Sequence, residues 1–371
     1  MINYIYKHER LKMAALAITF DAGSELEPSG KKGTMHLMEH LICKTLEDMY
    51  KFFTANSINW NAYTNEERIM VYFEGLASRL TPEVKMKITE RLIGGINIKQ
   101  EVFDNEKNVV LQEYMDCVND NAYACELNVF RKYWNNYSPI GKESDIRSFS
   151  YDDMFETYEK YFRKPIRIVE VGPEKTPGLE ELCKEVDYKP EHKKLKFGKY
   201  EFEKLSADTS LKVPVFLMSP KTVSVSDYPY LKIGMLILTE GLESPFYQKL
   251  RVENGLSYYV HGGITRNINS GMFVIDACTN TERAEELGNK MLDLSGDLYN
   301  IMTKERFDDI IESIKIEREK EKILKYAYID KYASITKLKL PKNLDKIEFE
   351  KTRYLLSRYF ANIKLIRGDK L

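Results

Sequence analysis

An α+β fold of two related domains, each a mostly antiparallel sheet packed with helices, is what this 371-residue sequence predicts. Three observations predict it. The length, with 43% hydrophobic residues, is enough for the cores of about two domains. Strand-like and helix-like runs do not alternate one for one, which disfavours a doubly wound parallel sheet. The two halves also end alike: "YDDMFETYEKYFRKPIRIVEVG" (151–172) and "FEKTRYLLSRYFANIKLIRGD" (349–369) are each an amphipathic helix ending in Tyr-Phe, then a short strand running to Gly.

In chain order, "MAALAITFDAG" (13–23), "RIMVYFEG" (68–75) and "IRIVEVG" (166–172) read as strands, being rich in β-branched or aromatic residues and closed by Gly. Between them the apolar spacing predicts helices over about Thr34–Phe53, Pro82–Leu92, Gln100–Val118 and Tyr151–Phe162. From Lys189 to Ser210 the chain is Lys-rich and weakly periodic, which marks a linker. The expected division is therefore 1–188, a linker at 189–210, and 211–371. Strands are expected to resume at "VPVFLMS" and "YLKIGMLIL", and Lys304 to about Lys325 gives the clearest helix of the second half.

A formal net charge of -1 with no polybasic arm gives no case for nucleic acid or an anionic membrane. No run approaches the roughly 18 apolar residues of a membrane span. Charges at Lys7, Glu9, Arg10 and Lys12 interrupt any signal-like N-terminus. Five cysteines, an odd number without CxxC spacing, argue against a disulfide framework or a cysteine zinc site and fit a reducing, cytoplasmic setting.

Chemistry concentrates in "GTMHLMEHLICKT" (33–45), which holds two of only five histidines. On a helix, His36 and His40 at i and i+4 share a face, with Glu39 beside them. Neutral imidazoles bind zinc at about 2.0–2.1 Å, and a carboxylate nearby can take a proton from an activated water. The order H-x-x-E-H is the inverse of the H-E-x-x-H zinc-peptidase motif. Two histidines need a further protein ligand. Glu106 and Glu113 share a helix face but stand about 10.5 Å apart along its axis. One is expected on the ion and the other orienting a histidine, the water or a substrate group; spacing alone leaves open which.

Here the sequence resembles the pitrilysin/insulinase-type zinc peptidases, or inverzincins, and looks closest to the short-subunit branch that includes mitochondrial processing peptidase. Beyond the histidine turn, "INWNAYTNEERIMVYFEG", "FDNEKNVVLQEYMDCVND", "YSPIGKESDIRSFSYDDMFETYEKYF" and "YQKLRVENGLSYYV" carry the likeness in family order. The resemblance implies one Zn2+ per subunit on His36, His40 and Glu113, with Glu39 as general base and Glu106 as a supporting acid. It implies that Arg251 and Tyr258 bind substrate carbonyls or the oxyanion, and that Asn61, Ala62 and Thr64 form a turn flanking an edge strand to which peptide substrate pairs. It further implies a half-clamshell that closes with a second copy or a related subunit around peptides or unfolded polypeptide, the Arg/Tyr pair facing each zinc in trans. A zinc endopeptidase is the expected function; a non-catalytic or partner-dependent peptide-presenting subunit is the alternative. The chain departs from the family in Gly23-Ser24-Glu25, where Gly-Ser-Arg is usual, and in its short linker region.

Overall fold

The computed structural model describes residues 4–10, 12–135, 138–183, 192, 194–208, 212–321 and 325–371. Among these, the strands are β1 (Tyr4–His8), β2 (Met13–Phe20), β3 (Asn59–Thr64), β4 (Ile69–Leu76), β5 (Arg167–Gly172), β6 (Val213–Met218), β7 (Val260–Arg266), β8 (Gly271–Thr279) and β9 (Lys364–Arg367). The α-helices of six or more residues are α1 (Thr34–Lys44), α2 (Tyr50–Ala55), α3 (Pro82–Ile93), α4 (Gln100–Asn119), α5 (Asn121–Trp134), α6 (Glu143–Ser148), α7 (Tyr151–Tyr161), α8 (Tyr228–Thr239), α9 (Ala284–Gly296), α10 (Lys304–Glu321), α11 (Lys325–Ala333) and α12 (Phe349–Phe360). The chain divides into two packed units. Unit 1 is Met1–Tyr114, Tyr137–Glu191 and Arg318–Ile335; unit 2 is Met115–Asn136, His192–Glu317 and Thr336–Leu371.

Unit 1 holds a five-stranded sheet in the order β1-β5-β2-β4-β3, with β1 parallel to β5 and the other pairs antiparallel. Its central strand β2 is buried on both faces, which is why Met13–Phe20 is an almost unbroken apolar run. Leu16, Ile18 and Phe20 face the helices; Phe20 meets Phe162 just past α7 (ring centroids 5.1 Å apart), and Phe73 meets Phe53 of α2 (5.6 Å). Ala15 and Ala17 face the other way, with Met70, Val169 and Val171, and are covered by Ile329 and Ala333 of α11.

Unit 2 holds a four-stranded sheet in the order β7-β8-β6-β9, antiparallel throughout. Val215, Leu217, Phe273 and Ile275 pack into a core with α8, α9 and α12. Phe216, Met218, Met272, Val274 and Ile366 on the opposite face meet Val129 and Trp134 of α5. Each sheet therefore has one face closed by a helix from a distant stretch of chain. Both units match the expected α+β class, and the terminal echo places α7–β5 and α12–β9 in corresponding positions, each strand antiparallel to the first long strand of its half.

Three expectations need correction. "YLKIGMLIL" is not a strand: it lies within α8, which carries Pro229 in its first turn. Apart from Lys232 the segment is apolar because α8 is largely enclosed: a Cβ at Gly234 would meet Leu356 Cδ1 of α12 at 2.9 Å, and one at Gly262 of β7 would meet Met235 Sδ of α8 at 2.6 Å. A short apolar run buried on all sides has no period to distinguish helix from strand. The helix expected over Thr34–Phe53 is broken after Lys44, where Tyr50 donates its hydroxyl to the Cys43 carbonyl (2.8 Å) and Thr45 to that of Ile42 (2.6 Å). The division at 189–210 also misses the exchanged segments 115–136 and 318–335. Of that stretch, 189–191, 193, 209 and 210 lie outside the described residues. The rest belongs to unit 2, where the N–H groups of Gly198 and Tyr200 donate to the carbonyls of Tyr133 and Lys132 (2.9 and 2.7 Å).

Candidate metal centre

The helix that carries the histidines is started by its surroundings. Glu27 is buried and accepts from the N–H groups of Gly33 (2.9 Å) and Met35 (2.7 Å), satisfying donors the first turn of α1 cannot pair internally. Burial pushes the Glu27 carboxyl up to about 8, against those two bonds. Gly33 precedes the helix at φ 93°, a conformation that suits glycine, with Ile146 and the Gly141 backbone pressed against it.

One turn later, His36 and His40 project together toward α4. Their ring centroids lie 5.0 Å apart, and Glu113 reaches both: 3.3 Å to His36 Nε2 and 3.7 Å to His40 Nε2. One ligand atom from each of the three residues lies within 4.8 Å of the others, the sole such grouping of three His, Cys, Asp or Glu among the described residues. Glu106, two turns earlier on α4, is set back: its Oε2 lies 3.2 Å from His40 Nδ1, the nitrogen facing away from Glu113. The two acids thus divide between the two sides of His40. Glu39 is turned to the edge strand β3, where the Thr64 hydroxyl donates to Glu39 Oε2 at 2.6 Å. Burial raises the Glu39 carboxyl above the usual range, opposed by that hydrogen bond.

The donors fit a zinc ion. The edge of a tetrahedron with bonds of about 2.1 Å is roughly 3.4 Å, close to the 3.3 Å from His36 Nε2 to Glu113 Oε2 and the 3.7 Å from His40 Nε2 to Glu113 Oε1. Burial, and secondarily the His40 charge, hold His36 down at about 4, so its ring is neutral and has a lone pair to give. This has a consequence for the metal-free protein. Between about pH 6.5 and 4 the unfolded chain binds a proton on His36 that the folded protein refuses. Stability therefore rises with pH across that window and is lost as pH falls through it, by on the order of 3 kcal/mol. Urea midpoints of metal-free protein from pH 7 to 4.5 should fall less steeply for His36→Gln; parallel curves would remove His36 from the effect.

The remaining expected residues fall in two places. Asn61, Ala62 and Thr64 lie within the edge strand itself rather than in a turn beside it, paired to β4 on one side only. Asn61 Oδ1 accepts from the Ala62 N–H (2.9 Å). Thr64 spends its hydroxyl on Glu39, a contact across the chain that no spacing rule reveals. In unit 2, Arg251 sits in a π-helical turn (Gln248–Glu253), and the chain reverses at Gly255 (φ 54°). Arg251 then stacks on the Tyr258 ring, 4.4 Å from its centroid, and donates to the Tyr258 carbonyl (3.0 Å). Tyr258 is 79% exposed, so it is no core strand residue.

Comparison with known proteins finds one peptidase family in both halves of the chain. Residues 4–138, which contain the His36–His40–Glu113 cluster, match the family described as "Insulinase (Peptidase family M16)", and residues 148–314 match "Peptidase M16 inactive domain". The chain is built of M16-family domains. It is 22% identical over 308 residues to an uncharacterized zinc protease of Rickettsia bellii (strain RML369-C), covering 77% of this chain and 73% of that one. It is 22% identical over 153 residues to a probable mitochondrial-processing peptidase subunit beta of Arabidopsis thaliana, covering 38% of this chain and 28% of that protein. The crystal structure of a protease from Helicobacter pylori shares the fold, with TM-score 0.79 at 15% identity over 98% of this chain and 96% of that one.

Proposed function

We propose that this chain is a zinc-dependent endopeptidase of the inverzincin type, cleaving peptides or unfolded segments as a homodimer or with a related subunit. The observation that carries this reading is the convergence of His36, His40 and Glu113 within 4.8 Å, beside a half-buried Glu39 anchored by Thr64. Zinc held by the three residues supplies, when bound, Lewis-acid activation of water and of the scissile carbonyl. Glu39 takes the proton of the attacking water and passes it to the leaving amine. Strand β3 pairs its free backbone edge with the extended substrate, which holds the scissile bond in register. Arg251 and Tyr258 of the second subunit donate to the oxyanion. A reducing, cytoplasmic setting is part of the proposal, supported by five cysteines present as free thiols.

The test is cleavage of an unstructured quenched-peptide library by the purified chain, alongside its zinc content. Cleavage abolished by chelation and restored by zinc supports the reading. A chain that holds stoichiometric zinc yet cleaves nothing favours the second reading, a non-catalytic or partner-dependent subunit, for which the match of 148–314 to a domain described as inactive speaks. Completion of each site in trans has its own check. His36→Ala and Arg251→Ala subunits, each inactive alone, should regain activity when mixed, and exchanged dimers with no gain would refute the arrangement.

A further inference from the structure

We propose that Lys44 is a positioning residue of the metal centre: it pins the Glu106 carboxylate that orients His40, and so sets how tightly the three donors hold their ion. The inference rests on the zinc reading above. Lys44 is the last residue of α1 and stands four residues after His40, on the same helix face. Its Nζ lies 2.9 Å from Glu106 Oε1, while Glu106 Oε2 lies 3.2 Å from His40 Nδ1. A single carboxylate, only 13% exposed, thus joins the ammonium to the imidazole. With both oxygens engaged, the carboxylate cannot rotate away from Nδ1, and the ring is held with Nε2 toward Glu113. His36 lacks such support, because its Nδ1 is buried with no hydrogen-bond partner among the described residues. The orientation of the ligand pair therefore depends on His40, and through Glu106 on Lys44.

A simpler account gives Lys44 only the general role of a cation near a helix C-terminus. The two accounts differ in whether Glu106 is required. The experiment is zinc affinity of the full chain, measured by competition with a chromophoric chelator, for wild type, Lys44→Met, Lys44→Arg, Glu106→Gln and the Lys44→Met/Glu106→Gln double variant. Melting of each metal-free protein is followed in parallel. Lys44→Met should weaken zinc binding about tenfold, Lys44→Arg should recover most of it, and Lys44→Met should add nothing once Glu106 is Gln. An affinity for Lys44→Met within about twofold of wild type overturns the inference alone. So does an equal loss in both backgrounds. Wild-type protein that takes up no zinc overturns the zinc reading and this inference together.

Discussion

Glu39→Gln should lower kcat/KM for peptide cleavage by about 10²–10⁴-fold, the range a positioned general base contributes, while leaving zinc uptake intact. The amide matches the carboxylate in shape and its oxygen still accepts from Thr64, so the contact between α1 and β3 survives. His36, His40 and Glu113 are untouched. What the amide lacks is a basic oxygen to take a proton. Activity and bound zinc, measured on the same preparation, separate the possibilities. Loss of both would make Glu39 a structural support of the cluster, and full activity without the carboxylate would end its assignment as the base.

Lys85→Met should destabilise the protein by about 3–5 kcal/mol, the usual penalty for leaving one partner of a buried ion pair alone. Lys85 on α3 and Glu170 on β5 meet at 2.7 Å with side chains 2% and 0% exposed. Glu170 Oε1 also accepts from the Thr176 N–H (2.8 Å) and hydroxyl (3.0 Å), and its Oε2 from the Tyr4 hydroxyl (3.0 Å). Without the ammonium those neutral donors remain, but the charge is stranded beside the central strand. Adding Glu170→Gln should restore much of the loss, since a neutral amide oxygen still accepts from Thr176. Urea unfolding of the metal-free proteins measures both. A double variant no more stable than Lys85→Met alone would show that packing around the lysine stem, rather than charge, dominates.

Part of this was legible in the residues. His36, Glu39 and His40 share a face because helical periodicity demands it, and β2 advertises its central place through unbroken apolarity. Spacing placed Glu106 and Glu113 on one face but could not divide their roles; that depends on which end of α4 lies over which nitrogen of His40. The contact of Thr64 with Glu39 and the pairing of Lys85 were out of reach for the same kind of reason. Their partners, Glu39 and Glu170, are far away in sequence, and local pattern carries no information about such pairs. Within α8, "YLKIGMLIL" misleads because enclosure on all sides erases the amphipathic signature that separates a helix from a strand. Lys44 is an intermediate case: its i+4 relation to His40 is visible, but its acidic partner is supplied by another helix.

The closure of the first sheet by α11 bears on how the protein is made. Ala15, Ala17, Met70, Val169 and Val171 form an apolar face that is complete once β5 has been synthesised, yet its cover, Ile329 and Ala333, comes much later in the chain. At about 5–20 residues per second, the ribosome leaves that face bare for on the order of ten seconds or more. The nascent protein therefore passes through a stage in which its first sheet has its strands but lacks the helix that covers them. During that stage the bare apolar face is the chain's exposure to aggregation, and the stability of the finished fold offers it no protection.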